Sequence, residues 1–124
     1  MKKILVAEDD IVISKLYQLH FQRARLHGSF FTTGAGVIES ARNQRPDLVI
    51  LDFELPDLCG PDVMRELRQI PGCENVPVIF VTGRATPEVI DNLRQAGACE
   101  VMGKPFSPIH LIQLCNQLTG SSAE

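Results

Sequence analysis

The chain has 124 residues, the size of one domain with a real core, and carries a formal net charge of −3 from 12 basic and 15 acidic residues spread along it. Its 44% hydrophobic and 22% charged fractions are those of an ordinary globular protein. No basic block offers the footprint that nucleic-acid binding needs. The apolar run in MKKILVAEDD is too short for a signal peptide or membrane helix, so a cytoplasmic domain away from membranes is expected.

In chain order, Lys3–Ala7 (KILVA) reads as a strand buried on both faces, because a continuous Val/Ile/Leu run is what a covered parallel sheet requires. Ile11 to Leu26 follows as a helix, with Val12, Leu16, Leu19 and Arg23 at helical spacing and a stop before Gly28. Ser29–Thr32 (SFFT) is a weaker strand, and Ala35 to Gln44 a short helix ended by RPD. Leu48–Leu51 (LVIL) is a second fully buried strand, and Pro61 to Ile70 a helix that opens on a proline and closes at Pro71-Gly72. Val78–Val81 (VIFV) is a third such strand. Thr86 to Ala96 then has a threonine cap, Pro87 and a terminal Gly97. Cys99–Met102 (CEVM) is a weaker strand, and Ser107 to Leu118 a last helix with a Ser-Pro start. Strand and helix alternate five times, which with right-handed crossovers predicts an α/β fold: a doubly wound (βα)5, flavodoxin-like, five-stranded parallel sheet with helices on both faces.

The cysteines (Cys59, Cys73, Cys99, Cys115) are far apart, with no Cys-x-x-Cys, and are expected to be thiols used as small apolar residues. With His20, His27 and His110 scattered as well, a zinc site is not expected.

In a doubly wound sheet, ligands bind beyond the carboxyl ends of the strands. Glu8, Asp9 and Asp10 follow the first predicted strand and Asp52 the third; Thr82-Gly83 follows the fourth, and Lys104-Pro105 lies just past the fifth. Any one of these acids alone reads as a cap or a solvated loop residue. Together they put several carboxylates, a hydroxyl and an ammonium on one edge. Crowded carboxylates repel, and a divalent cation with a preference for oxygen is the natural compensation.

The ordered set formed by Glu8-Asp9, LVILDFELPDLCG with Asp52, VIFVTG with Thr82 and GKPF with Lys104 resembles the receiver domain of bacterial two-component response regulators. The match runs over essentially the whole chain, as a receiver domain over residues 1–119 with 120–124 as a frayed tail or the start of a linker. The resemblance implies that Asp52 is the phosphoacceptor, that Asp9 binds magnesium (or manganese) directly, that Glu8 holds the metal often through water, and that the Glu54 backbone carbonyl is a further ligand. It implies that Lys104 pairs with Asp52 and then with the phosphoryl oxygens, and that Thr82 binds the phosphoryl group. Pro56 and Gly60 fit the loop into the third helix, and Asp57 reads as a plain loop acid. The implied donor is a histidine kinase or histidine phosphotransfer protein. The implied output is a changed surface of the fourth helix, fifth strand and fifth helix, met by a downstream protein partner or a second copy. Such a domain is a signalling phosphoacceptor, not an enzyme acting on a separate substrate.

One position departs from the family pattern. Where the family usually carries Tyr or Phe three residues before the lysine, this chain has Val101, which cannot make an aromatic ring's inward swing. Ile90, Val101, Ile109 and Ile112 are expected to form an exposed apolar patch on the output face. Glu54 and Arg84, two residues after the acceptor and after the threonine, are expected to pair above the site and tune the lifetime of the acyl phosphate. The alternative is a pseudo-receiver that signals without phosphate, although none of its usual losses of acid, lysine or hydroxyl is present. An aspartyl phosphatase is opposed by the absence of room for a cap domain, and a flavin site by AEDD where a phosphate loop would stand.

Overall fold

The computed structural model describes residues 2–120. The elements are β1 (Lys3–Ala7), α1 (Ile11–Arg23), β2 (His27–Phe31), α2 (Gly34–Asn43), β3 (Leu48–Asp52), α3 (Gly60–Arg68), β4 (Val78–Thr82), α4 (Pro87–Gln95), β5 (Glu100–Gly103) and α5 (Pro108–Thr119). The strands form one parallel sheet in the order β2-β1-β3-β4-β5. The expected (βα)5 architecture is therefore the observed one, with boundaries that differ by up to three residues. Among the described residues no helix is long and apolar enough to cross a membrane. Residues 121–124, expected as a tail or linker, lie outside the described part.

Apart from Lys3, Asp52 and Thr82 at their ends, the three central strands are hydrophobic throughout because alternate residues feed two separate cores. Leu5, Val49, Leu51, Val78 and Phe80 pack with Val37, Val63, Leu67 and Leu93 of α2, α3 and α4. Ile4, Val6, Leu48, Ile50, Ile79 and Val81 pack with Tyr17 and Phe21 of α1 and Leu111 and Cys115 of α5. On that second face the ring of Tyr17 stacks on Phe106, just before α5, with centroids 4.9 Å apart.

Two expectations about α1 fail for an identifiable reason. The helix has two apolar stripes, and the buried one is Tyr17 and Phe21, flanked by half-buried Ile13; Val12, Leu16 and Leu19 are exposed. The helix also ends at Arg23, not near Gly28. Arg25 takes the left-handed conformation at φ 58°, its N–H donates to the Gln22 carbonyl, and the Leu26 N–H reaches back 2.9 Å to the Phe21 carbonyl. That double return closes the helix as a terminal glycine would. Gly28 instead lies in β2, where a Cβ would come within 2.7 Å of the Phe21 ring. The thiols also divide: Cys73 and Cys115 are buried as expected, whereas Cys59 and Cys99 are exposed and all four are free.

Candidate functional site

The site is assembled where β1, β3 and β4 end and the β5–α5 connection begins. After β1, three consecutive acids take three different environments. Glu8 is buried, and its N–H donates to the Phe31 carbonyl at 2.9 Å, which extends the β1–β2 ladder. Asp9 is exposed. Asp10 is the N-cap of α1, and its Oδ1 accepts from the N–H groups of Val12 (2.9 Å) and Ile13 (3.2 Å). An aspartate directly before a helical pattern is the usual signal for this role, so Asp10 is removed from the group of candidate ligands.

Asp52 is the last residue of β3 and only 7% exposed. Its Oδ1 accepts from the Glu54 N–H at 3.1 Å and its Oδ2 from Lys104 Nζ at 2.9 Å. Behind it the chain approaches closely: a Cβ on Gly60 would lie 2.9 Å from the Asp52 carbonyl and would collide with the Phe80 ring. The Gly60 N–H also donates to the Phe53 carbonyl at 2.8 Å. Only glycine lets α3 start this near the strand end.

Lys104 follows β5, and its N–H donates to the Thr82 carbonyl at 2.8 Å. From there the side chain crosses the end of β4, bringing Nζ 2.9 Å from both Asp52 Oδ2 and Glu8 Oε1. Burial alone would depress the Lys104 ammonium, but its close contacts with Asp52 and Glu8 and their charges outweigh it and hold its pKa above the ordinary value. For Glu8 burial dominates: it pushes the carboxyl up to about 7, opposed by Lys104 and the Asp10 N–H and reinforced by Asp52. Thr82 is buried at the end of β4, and its Oγ1 accepts from the Arg84 N–H at 3.0 Å. At the mouth, Arg84 Nε lies 3.5 Å from Glu54 Oε1, with both side chains largely exposed.

The residues fit a divalent cation. Glu8, Asp9 and Asp52 offer carboxylate oxygens that all lie within 4.8 Å of one another. Their three formal negative charges face one ammonium, an imbalance that a divalent ion neutralises. Glu8 Oε1 is buried and, despite its charge contact with Lys104, accepts no well-directed hydrogen bond.

This combination of an acid pair after β1, an acid closing β3, a hydroxyl closing β4 and a lysine reaching back from β5 coincides with a family match. The family model of the response regulator receiver domain matches residues 4–116. The chain belongs to the response regulator receiver family. Over 122 residues this receiver domain is 33% identical to protein Rrf1 of Nitratidesulfovibrio vulgaris, covering 98% of the chain and 86% of that protein. Among solved structures it is similar to the receiver domain of the Francisella response regulator 1452, with a TM-score of 0.90, 25% identity, and 97% and 98% of the two chains covered. It is also similar to the receiver domain of the sensor histidine kinase PA1611 of Pseudomonas aeruginosa, described with a magnesium ion coordinated in its active-site cleft. That match has a TM-score of 0.87 and 28% identity and covers 97% and 98% of the chains. Receiver domains are signalling phosphoacceptors that bind magnesium at an acidic pocket.

The expected apolar patch on the output face is not assembled. Val101 is buried in the core among the α2–α4 helices, because β5 pairs it beside Phe80. Ile90 packs half-buried on that core and Ile112 on the opposite one. Of the four, only Ile109 is exposed, at 75%. The exposed apolar surface lies instead on α1, where Ile11, Val12, Leu16 and Leu19 face outward beside the Asp9–Asp10 turn. A helix with more apolar residues than one buried stripe can use was the available signal.

Asp57 is not a plain loop acid. Its Oδ1 accepts from the Gly34 N–H and its Oδ2 from the Ala35 N–H, both at 2.9 Å. Those two bonds hold its carboxyl below the usual range. The residue caps α2 from across 23 positions of chain, alongside the local N-cap Thr33.

Proposed function

We propose that this receiver domain accepts a phosphoryl group on Asp52 from a phosphohistidine of a histidine kinase or histidine phosphotransfer protein. The observation that carries this reading is Lys104 Nζ at 2.9 Å from both Asp52 Oδ2 and Glu8 Oε1, because it gives the nucleophile a partner that can pass to the phosphoryl oxygens. An Asp52 carboxylate oxygen attacks phosphorus, the phosphorus–nitrogen bond breaks, and its electron pair leaves with the imidazole, which takes up a proton. The Glu54 N–H on Oδ1 fixes the angle of the attacking carboxylate. Asp9, Asp52 and the Glu54 carbonyl would hold magnesium or manganese directly, with Glu8 acting through water; the bound ion supplies positive charge for the equatorial phosphoryl oxygens. The magnesium seen in the PA1611 receiver domain supports that assignment.

Thr82 accepts a backbone hydrogen bond and retains its own proton to donate to a phosphoryl oxygen. That contact biases the surface of α4, β5 and α5, where Ile109 is the exposed apolar contact for a downstream partner or a second copy. With Val101 locked in the core, the shift proceeds without an aromatic swing. The outward face of α1, beside the mouth of the site, seats the phosphodonor. The Glu54–Arg84 pair screens the mouth from the water that later hydrolyses the acyl phosphate. The domain thus turns over only its own phosphoryl group.

The test is incubation with magnesium and acetyl phosphate or beryllofluoride, with Asp52→Asn as control. A base-labile mass gain of one phosphoryl group from acetyl phosphate, absent in Asp52→Asn, is expected. Absence of any adduct together with absence of magnesium binding would overturn this reading in favour of a pseudo-receiver, the direction in which Val101 points.

A further inference from the structure

The segment between β3 and α3, residues 53–59, contains Glu54, whose backbone carbonyl is a further metal ligand in the reading proposed above. Most of its directional bonds are internal or to its own ends: Glu54 N–H to Asp52 Oδ1, Leu58 N–H to Asp57 Oδ1, Gly60 N–H to the Phe53 carbonyl, and an antiparallel bridge between Glu54 and Cys59. Phe53, Leu55 and Leu58 rest half-buried on the core, a contact without direction. At its start the Phe53 N–H donates to the Val81 carbonyl of β4 at 3.1 Å. At its far turn, Asp57 is the group that reaches another helix, taking both the Gly34 and Ala35 N–H groups.

We propose that Asp57 is a positioning residue for metal binding: by gripping the first turn of α2 it holds the β3–α3 segment, and with it the Glu54 carbonyl, in the place the ion requires. The proposal rests on the metal reading given above and deepens it. Three observations support it. The grip uses both carboxylate oxygens on two successive N–H groups, which fixes orientation as well as distance. Asp57 is exposed and its neighbours Leu55 and Leu58 are only half-buried, so few buried apolar contacts fix this turn and its directional bonds matter the more. The local cap of α2, Thr33 Oγ1, accepts from the Gly36 N–H at 3.2 Å and leaves the Gly34 and Ala35 N–H groups to Asp57, so the start of α2 is tied to this segment by bonds the helix end needs. Such outer contacts typically change metal affinity by an order of magnitude. Because coupling between two sites is reciprocal, metal at the acids must also quiet the start of α2.

The experiment is a magnesium titration of the unphosphorylated full chain followed by NMR, with amide exchange measured at Gly34 and Ala35. Asp57→Ala is expected to weaken magnesium binding roughly tenfold, and Asp57→Asn, which keeps one acceptor, to recover most of the loss. The loss persists in about 0.5 M KCl, where a through-space charge effect is screened. Magnesium slows exchange at Gly34 and Ala35 in the wild type and does not in Asp57→Ala. Affinity within about twofold of wild type in Asp57→Ala, with exchange at Gly34 and Ala35 merely faster, makes Asp57 a helix cap only and overturns the proposal. If Asp57→Ala fails to fold, the wild-type exchange decides alone: absence of magnesium protection at Gly34 and Ala35 overturns it. Wild-type protein that binds no magnesium at all sinks the metal reading itself, and this proposal with it.

Discussion

Two short acid-bearing segments meet at this site, and they solve the same problem in different ways. Glu8-Asp9-Asp10 is contiguous; Asp52, Glu54 and Asp57 are spread over six positions. Each segment buries one acid against Lys104 and spends another on a helix end. Asp10 caps the helix that directly follows it, whereas Asp57 caps a helix that begins 23 residues before it. The first cap is a local event set by the backbone of its own turn. The second exists only once the fold has brought α2 beside the β3–α3 segment. A local cap secures one helix; a distant one ties a segment of the site to a helix outside it.

Four experiments sharpen or break that comparison. The largest effect is expected from Lys104→Ala, which removes the single ammonium shared by the two segments: the rate of labelling by acetyl phosphate should fall on the order of 100-fold. A fall of less than about threefold would mean that the segments work independently. Next, Asp10→Ala should lower unfolding stability by about 1 kcal/mol in urea while leaving magnesium affinity unchanged. If it weakened magnesium as Asp57→Ala is expected to, the local and distant caps would not differ in kind.

The third concerns pH. Asp57 is held below its ordinary pKa by the Gly34 and Ala35 N–H groups, so the folded state binds its proton less readily than the unfolded chain. Its contribution is therefore present above the ordinary carboxylate value and disappears as pH falls through the lowered one. The stability difference between wild type and Asp57→Asn should be full at neutral pH and shrink in acid. A difference constant down to the acid limit would contradict the charged cap. The smallest effect is expected from Arg84→Ala: the Glu54–Arg84 pair is largely exposed, and its loss should change the lifetime of the acyl phosphate by about twofold, measured by phosphate release.

The same contrast between local and distant causes explains how much was legible in the amino-acid sequence. The three central strands were readable because every residue from Leu48 to Leu51 or Val78 to Val81 must be apolar to feed two cores. The caps at Thr86 and Ser107 were readable because each is a polar residue before a proline that opens its helix. The acids and the lysine were readable as an ordered set placed after strands. What was not legible depends on packing between distant elements. Nothing within α1 says whether Val12 and Leu16 or Tyr17 and Phe21 face the sheet; Phe30 and Phe106, far along the chain, complete the pocket that takes the aromatic pair. Burial of Val101 follows from its register beside Phe80, and the role of Asp57 from where α2 begins. Arg25 in a left-handed turn had no marker at all, since the residue type that usually holds that position is glycine.

The stack of Tyr17 on Phe106 has a practical consequence. The chain has one tyrosine and no tryptophan, so a single ring dominates its near-ultraviolet emission. That ring lies against the residue two positions after Lys104, at the entrance to α5. A rearrangement of that connection would change the surroundings of the only strong fluorophore. Tyrosine emission, followed without a label, is therefore a direct test of whether phosphorylation moves that connection.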